Sequence, residues 1–262
     1  MFQEERLRSI LAHLKTSKRI SIEEICELFD VSRDTARRDL VKLEEDKAII
    51  RTRGGAILPS PKHEIKDYVN RLSMVSEEKR QIGKKAASII HPGDYIILDT
   101  STTVQACAEQ MEDVKCTIIT NSINLADILI KNSQTHIQLL GGELHKEHRY
   151  LYGSSVIEKL SYYHVDKAFV GCAGISEKGV TVAHEEDGNV MQKMIQQAEQ
   201  VILLADHTKI GITGYFRCAE LNEIDLLITD REPNKEFQDL LDSHGVEIFI
   251  TSHNEEGEIL ND

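Results

Sequence analysis

The sequence predicts an α/β protein in two parts: a small N-terminal domain of three helices closed by a β-hairpin, and a larger domain of strands alternating with helices. Three observations predict it. Two amphipathic segments flank a short break at Asp30-Val31, and a β-branched run around Gly54-Gly55 spans Ala48 to Leu58. From His91 onward, short apolar runs bounded by Gly, Asp and Asn recur between helical patterns.

A first helix is expected from about Glu4 to Lys15, because Leu7, Ile10, Leu11 and Leu14 form one stripe. Ser21-Ile22-Glu23-Glu24 is a capping-box pattern, followed by Ile22, Ile25, Leu28 and Phe29 at helical spacing. After the break, Ser32 caps a third helix running from Arg33 to about Glu45. Ala36, Leu40 and Leu43 share one face of it, with Asp34, Arg38 and Lys42 opposite. Helix, tight turn, helix is the arrangement that lays its second helix in the major groove of DNA, N-terminal side chains at base edges. Ser32, Arg33, Thr35, Arg37, Arg38 and Lys42 are therefore candidate base and phosphate contacts. The basic hairpin behind them reads as a wing, whose Arg51 and Arg53 would follow phosphates or enter the minor groove.

The 262 residues, 40% of them hydrophobic, suffice for two domains. No apolar run approaches the ~20 residues of a membrane span. The start Met1-Phe2-Gln3-Glu4-Glu5 lacks the basic and apolar regions of a signal peptide, so a soluble cytoplasmic protein is expected. Cys26, Cys107, Cys116, Cys172 and Cys218 are odd in number and contain no CxxC pair, which argues against a disulfide framework or a zinc site. A net charge of −13 looks wrong for a nucleic-acid binder until it is divided. Residues 1–60 hold twelve Lys+Arg against eleven Asp+Glu, so the acidity belongs to residues 61–262. Residues 33–53 hold seven basic against five acidic side chains, a modest positive surface that points to two copies acting together.

Pro59-Ser60-Pro61 stops regular structure, which places a DNA-binding domain at 1–60, a linker at 61–75 and a second domain at 76–262. There a helix should run from about Val75 to Ile90, followed by strands at Tyr95–Leu98, Thr117–Thr120, Ile137–Leu140, Ala168–Val170, Val201–Leu204, Leu226–Thr229 and Val246–Ile250. Helices are expected at Val104–Met111, Ile123–Lys131, Val156–Leu160, Asn189–Gln200 and Lys235–Ser243. Such a mainly parallel sheet binds ligands at the carboxyl ends of its strands. Three of those ends carry suitable chemistry: Asp99-Thr100-Ser101-Thr102-Thr103, Thr120-Asn121-Ser122 and Asp206-His207-Thr208-Lys209, with Gly141-Gly142 after a fourth. Hydroxyls and unpaired N–H groups at a helix N-terminus form an anion site, and Lys209 could add a point charge. Asp99 would bind a sugar hydroxyl or brace its loop. Each loop alone is what plain N-capping produces; together they point to a phosphorylated small molecule.

Residues 5–57 resemble the N-terminal domain of DeoR-type (DeoR/GlpR family) transcriptional regulators. The likeness is carried by Glu5-Arg6 with Leu7, Ile10 and Leu11, by Val31-Ser32 with Thr35, by Arg37-Arg38-Asp39-Leu40, and by Arg51-Thr52-Arg53-Gly54-Gly55-Ala56. Ala36 stands where a branched residue is usual, and Arg53 where His is frequent. Residues 76–230 resemble the effector domain of the same regulators through Asp99–Thr103, Thr120–Ser122, Gly141-Gly142, Asp166–Gly171, Gly174-Ile175 and Ala205–Lys209. The resemblance implies a sensor related in fold to ribose-5-phosphate isomerase. It implies a repressor of a carbohydrate catabolic operon, acting as a homodimer or homotetramer on double-stranded operator DNA and controlled by a phosphorylated sugar or intermediate. Ser101 replaces a frequent Gly and should narrow the phosphate loop, and Glu186 falls near an acidic position of the family. No catalytic residue or cofactor is assigned: where the isomerase has an acidic run, this chain has Gly171-Cys172-Ala173-Gly174, without a base for proton abstraction. Metal sensing through His145 and His148, with His136 considered as a third, lacks a cysteine or carboxylate partner at a familiar spacing, so no metal is assigned.

Overall fold

Ile10 and Leu14 of α1 (Gln3–Ser17), Ile25 of α2 (Ile22–Phe29), and Ala36, Leu40 and Leu43 of α3 (Arg33–Glu45) are at most 2% exposed and meet in one core. These are the stripes that helical spacing picks out. The computed structural model describes residues 3–17, 19–45, 48–52, 54–57 and 76–251, in two units, 1–65 and 66–262. Arg53, the Pro59-Ser60-Pro61 stop and the 61–75 linker lie outside the described residues.

The capping box forms: Glu24 N–H donates to Ser21 Oγ at 3.1 Å, and Ser21 N–H donates to Glu24 Oε2 at 2.7 Å. Hydrogen bonds to the carboxyl from the Ser21 backbone N–H first, and from the Ser21 side chain second, hold the Glu24 pKa below its ordinary value. Asp30, left-handed at φ 49°, ends α2, and its N–H returns to the Cys26 carbonyl. The wing strands β2 (Ile50–Thr52) and β3 (Gly55–Ile57) pair antiparallel, as the hairpin signal predicts. A further strand, β1 (Arg19–Ser21), pairs with β3 to give the order β1-β3-β2. Three residues with one apolar side chain offered no alternation to read. β1 approaches so closely that a Cβ on Gly55 would overlap the Ile20 carbonyl and stand 2.9 Å from Ser21 Cα.

The second unit is built on a seven-stranded sheet, all of whose neighbouring strands are parallel. Its strands are β4 (Tyr95–Leu98), β5 (Thr117–Thr120), β6 (His136–Leu139), β9 (Val165–Gly171), β12 (Ala198–Leu204), β14 (Leu226–Thr229) and β15 (Glu247–Ile250), in the order β15-β14-β12-β9-β4-β5-β6. Alternate strand residues point to opposite faces. Ile96, Leu98, Ile118, Phe169, Ile202, Leu204 and Ile228 join one core with α4 (Glu77–Ser88), α5 (Thr102–Gln110) and α6 (Ile123–Leu129). Ile97, Ile119, Ala168, Val170, Leu203 and Leu227 join another with α7 (Ser154–Leu160), α8 (Glu185–Gln196) and α9 (Lys235–Ser243). Burial on both faces is why these strands read as continuous apolar runs.

Several boundaries differ from expectation, among them that of β9, expected at Ala168–Val170 and observed at Val165–Gly171. α8 starts at Glu185 rather than Asn189, and residues 198–200, expected as helix, begin β12, where Ala198 pairs with Val165. Five short strands were not anticipated. β7 (Glu143–His145) and β8 (Tyr150–Tyr152) form a hairpin, and β10 (Gly174–Ser176), β11 (Gly179–Val182) and β13 (Phe216–Ala219) form a small antiparallel sheet. Among the described residues, no helix is long and apolar enough to cross a membrane.

Candidate nucleic-acid interface and effector site

In the first unit, Ser32 opens α3 by accepting the Thr35 N–H at 3.2 Å, and its Oγ lies 3.0 Å from Thr35 Oγ1. Arg37, Arg38 and Lys42 are exposed along the helix, with Arg38 Nε donating to the Asp34 carbonyl at 3.3 Å. Arg33 forms an exposed ion pair with Glu23 of α2 at 2.6 Å, and Arg51 of the wing pairs with Glu44 of α3 at 3.2 Å. Exposed pairs contribute about 0–1 kcal/mol, so neither arginine is committed against a phosphate. The buried pair is different. Asp39 is fully buried and accepts from Arg6 Nε at 2.5 Å, Arg6 Nη2 at 3.1 Å and Gln3 Nε2 at 3.0 Å, which clamps α1 to α3. The Asp39 hydrogen bond outweighs burial and raises the Arg6 pKa, so the guanidinium stays charged. Of Arg37-Arg38-Asp39, the first two face solvent and the third holds the helix in place.

In the second unit, the chain runs outward from β4 through β5 and β6, then returns to β9 on the other side of β4 and continues outward through β12, β14 and β15. The β4/β9 boundary is therefore the topological switch point, where open α/β sheets bind ligands. Asp99 stands there, 2% exposed, and braces both strands: Oδ1 accepts the Ser101 N–H and Oδ2 the Gly171 N–H, each at 2.8 Å. Ser101 caps α5 by accepting the Val104 N–H at 3.1 Å. A Cβ on Gly171 would stand 2.5 Å from Ser101 Cβ and closer still to its Oγ, so the serine occupies the space that glycine leaves. Thr100, Thr102 and Thr103 follow, all buried.

The neighbouring loops are equally organised. Thr120 Oγ1 accepts the Ser122 N–H at 3.1 Å, and Ser122 caps α6 by accepting the Leu125 N–H at 3.3 Å. Asn121 Nδ2 donates to the Leu151 carbonyl at 2.8 Å, while its buried Oδ1 has no partner among the described residues. Asp206 caps the turn His207–Lys209 by accepting the Thr208 N–H at 2.9 Å and the Thr208 hydroxyl. The half-buried Cys172, just past β9, feels both the Asp99 end and the Asp206–Lys209 turn: burial first pushes its thiol up to about 12, Lys209 opposes the shift, and Asp206 and Asp99 reinforce it. Burial thus favours the protonated thiol.

Three placements depart from this cluster. Gly141 is exposed with open space around it, whereas a Cβ on Gly142 would meet Tyr152 O and Val156 Cγ2 at 2.5 Å, so Gly142 serves packing. Glu186 lies exposed in the first turn of α8; the Tyr152 pKa in the β7–β8 hairpin is raised first by the Tyr152 hydrogen bond to Glu143 at 2.9 Å, then by burial, and last by the charges of Glu143 and Glu186. Lys79, absent from the sequence reading, reaches from α4 to the N-terminus of α5, where its Nζ donates to Thr102 Oγ1 at 3.3 Å. A lysine in a helix's first turn, where acidic residues are favoured, was the available signal.

Comparison with known proteins agrees with this division. Residues 6–62 match the DeoR-like helix-turn-helix domain, and residues 74–231 match the DeoR C terminal sensor domain. The chain belongs to the DeoR family. Among its DeoR-family relatives, the HTH-type transcriptional repressor GlcR of Bacillus subtilis is 66% identical over 255 residues, 97% of this chain and 99% of that protein. The glycerol-3-phosphate regulon repressor of Escherichia coli is 29% identical over 252 residues, covering 95% of this chain and 100% of that protein. Among solved structures, ribose 5-phosphate isomerase A of Methanocaldococcus jannaschii is similar over 50% of this chain and 53% of its own, with 17% identity and a TM-score of 0.36.

Proposed function

We propose that this DeoR-family chain is a transcriptional repressor of a carbohydrate catabolic operon, whose operator affinity is set by a phosphorylated sugar or intermediate. In this reading residues 1–60 bind double-stranded operator DNA through Arg33, Thr35, Arg37, Arg38, Lys42, Arg51 and Arg53. Residues 61–75 link them to the sensor domain. Repression is supported by the identity to GlcR along nearly the whole of both chains. The observation that carries the effector is the switch-point cradle: Asp99 fixing the β4 and β9 ends, hydroxyls and N–H groups at the N-terminus of α5, and Lys209 close by.

The same geometry disfavours isomerase chemistry. Proton abstraction needs a positioned base, usually a carboxylate in such enzymes. Both Asp99 oxygens accept backbone N–H groups, and Asp206 Oδ1 is held by Thr208. A homodimer or homotetramer would present two recognition helices to half-sites about 34 Å apart or at multiples of that spacing.

The test is fluorescence anisotropy on a labelled duplex from upstream of the protein's own gene, at two salt concentrations, with and without a panel of sugar phosphates. Salt-sensitive binding weakened by one phosphate but not by its unphosphorylated sugar is the expected result. By linkage, saturating duplex must weaken that phosphate's binding by the same factor. Turnover of ribose 5-phosphate by the purified protein would overturn the reading.

A further inference from the structure

His145 ends β7, His148 lies in the β7–β8 turn, and His184 occupies the N-cap position of α8. One ligand atom from each lies within 4.8 Å of the other two. The ring centroids are 4.7 Å apart for His145 and His148, 5.7 Å for His145 and His184, and 5.3 Å for His148 and His184. His148 is 4% exposed, and the other two are half-buried. His136, the third histidine considered from sequence, is instead exposed on β6.

We propose that these three imidazoles bind one late first-row divalent cation, of which Zn2+ is the type, and so join the β7–β8 hairpin to the N-terminus of α8. Four features support the site. First, the hairpin turn brings two of the rings together: Arg149 sits at φ 54°, uncommon for a side-chain-bearing residue, its N–H donates to the His145 carbonyl at 2.7 Å, and its side chain pairs with Asp127 of α6 at 3.2 Å. That turn folds His148 back against His145. Second, the His184 side chain does not cap α8, although it stands where Ser, Thr, Asp and Asn are favoured for capping. Third, bringing nitrogens from 4.8 Å to the roughly 3.4 Å separation of a tetrahedral site with Zn–N bonds of ~2.0–2.1 Å needs small ring rotations. The His148 N–H reaches His145 Nδ1 at only 3.4 Å, a long contact that ligation through that nitrogen would displace. Fourth, an acidic side chain stands near the cluster: Tyr150 stacks on His145 at 5.1 Å, and Tyr152, whose ring lies 6.3 Å from that of His145, donates its hydroxyl to Glu143 Oε1 at 2.9 Å.

Three neutral imidazoles select zinc, nickel, cobalt or copper over magnesium and calcium, which prefer oxygen ligands. They leave a fourth position for water or another oxygen ligand. The hairpin is also tied to the Thr120–Ser122 loop, through Leu151 N–H to the Asn121 carbonyl at 2.8 Å and Ile123 N–H to the Arg149 carbonyl at 3.1 Å. A bound ion would therefore stiffen one wall of the sensor's strand-end region, yet the site does not depend on the identity of the effector.

The experiment uses the untagged full-length protein, stripped with chelator and titrated with Zn2+ by calorimetry and with Co2+ by visible absorption. One ion per chain is expected, with the Co2+ bands of tetrahedral nitrogen coordination. His184→Gln and His148→Ala should each weaken binding by at least about 100-fold, beyond the loss seen when an outer-shell partner is removed. His136→Ala should leave it unchanged. Because His148→Ala could unfold the hairpin, X-ray absorption on the wild-type zinc protein provides the independent check, expected to give three imidazole ligands at about 2.0 Å. No stoichiometric binding, binding unaltered in His184→Gln, or an all-oxygen coordination shell would each overturn the site.

Discussion

Asp39 and Arg6 set the energy scale at individual residues. Removing one partner of a buried ion pair strands the other charge, at a cost of about 3–5 kcal/mol. Asp39→Ala should therefore lower the unfolding free energy of the N-terminal unit by roughly that amount, measured by urea denaturation, whereas Arg37→Ala, at an exposed position, should change it by less than about 0.5 kcal/mol. Equal, small effects would mean the clamp is not holding α1 to α3. Gly171 and Ser101 make a second local case. Gly171→Ala drives a Cβ into Ser101, so it should abolish sugar-phosphate binding in the proposed cradle, and adding Ser101→Gly should restore it. Failure of the double variant to recover, with its fold intact by circular dichroism, would place the ligand elsewhere.

At the scale of elements, α2 and α3 are positioned by their ends more than by their lengths. α2 has eight residues, too few to be stable alone, and relies on the Ser21–Glu24 box at one end and left-handed Asp30 at the other. Ser21→Ala should cost about 1 kcal/mol, and a thermal melt that does not move would show the box is dispensable. These ends were legible because caps are local chemistry. β1 was not legible: Ile20 is buried by pairing with β3, a contact between segments far apart in the chain that no short-range pattern records. α8 was misplaced at its start. The expected start at Asn189 omits Glu185, Glu186 and Asp187, which are the acidic first turn that favours a helix N-terminus.

For the whole molecule, the proposed division of labour predicts separable losses. Arg38→Ala should weaken operator binding and lower the salt slope by about one ion while leaving sugar-phosphate binding intact. Lys209→Ala should do the reverse, giving a repressor that holds the operator and no longer responds. Anisotropy for DNA and calorimetry for the ligand, run on both variants, check the pair. Loss of both functions in both variants would contradict two separate sites.

The sequence by itself determined the three-helix core, the wing signal, the strands of the parallel sheet and the loops at their carboxyl ends. Each of these follows from periodicity, capping or turn chemistry within a few residues. The tertiary structure decided which of those loops meet. Strand order puts β9 beside β4, so Asp99 spends both oxygens on bracing and Gly171 leaves room for Ser101. It also brought Lys79 from α4 to Thr102, and His184 to His145 and His148. Such encounters depend on how strands cross over in space, and a linear spacing rule cannot express that.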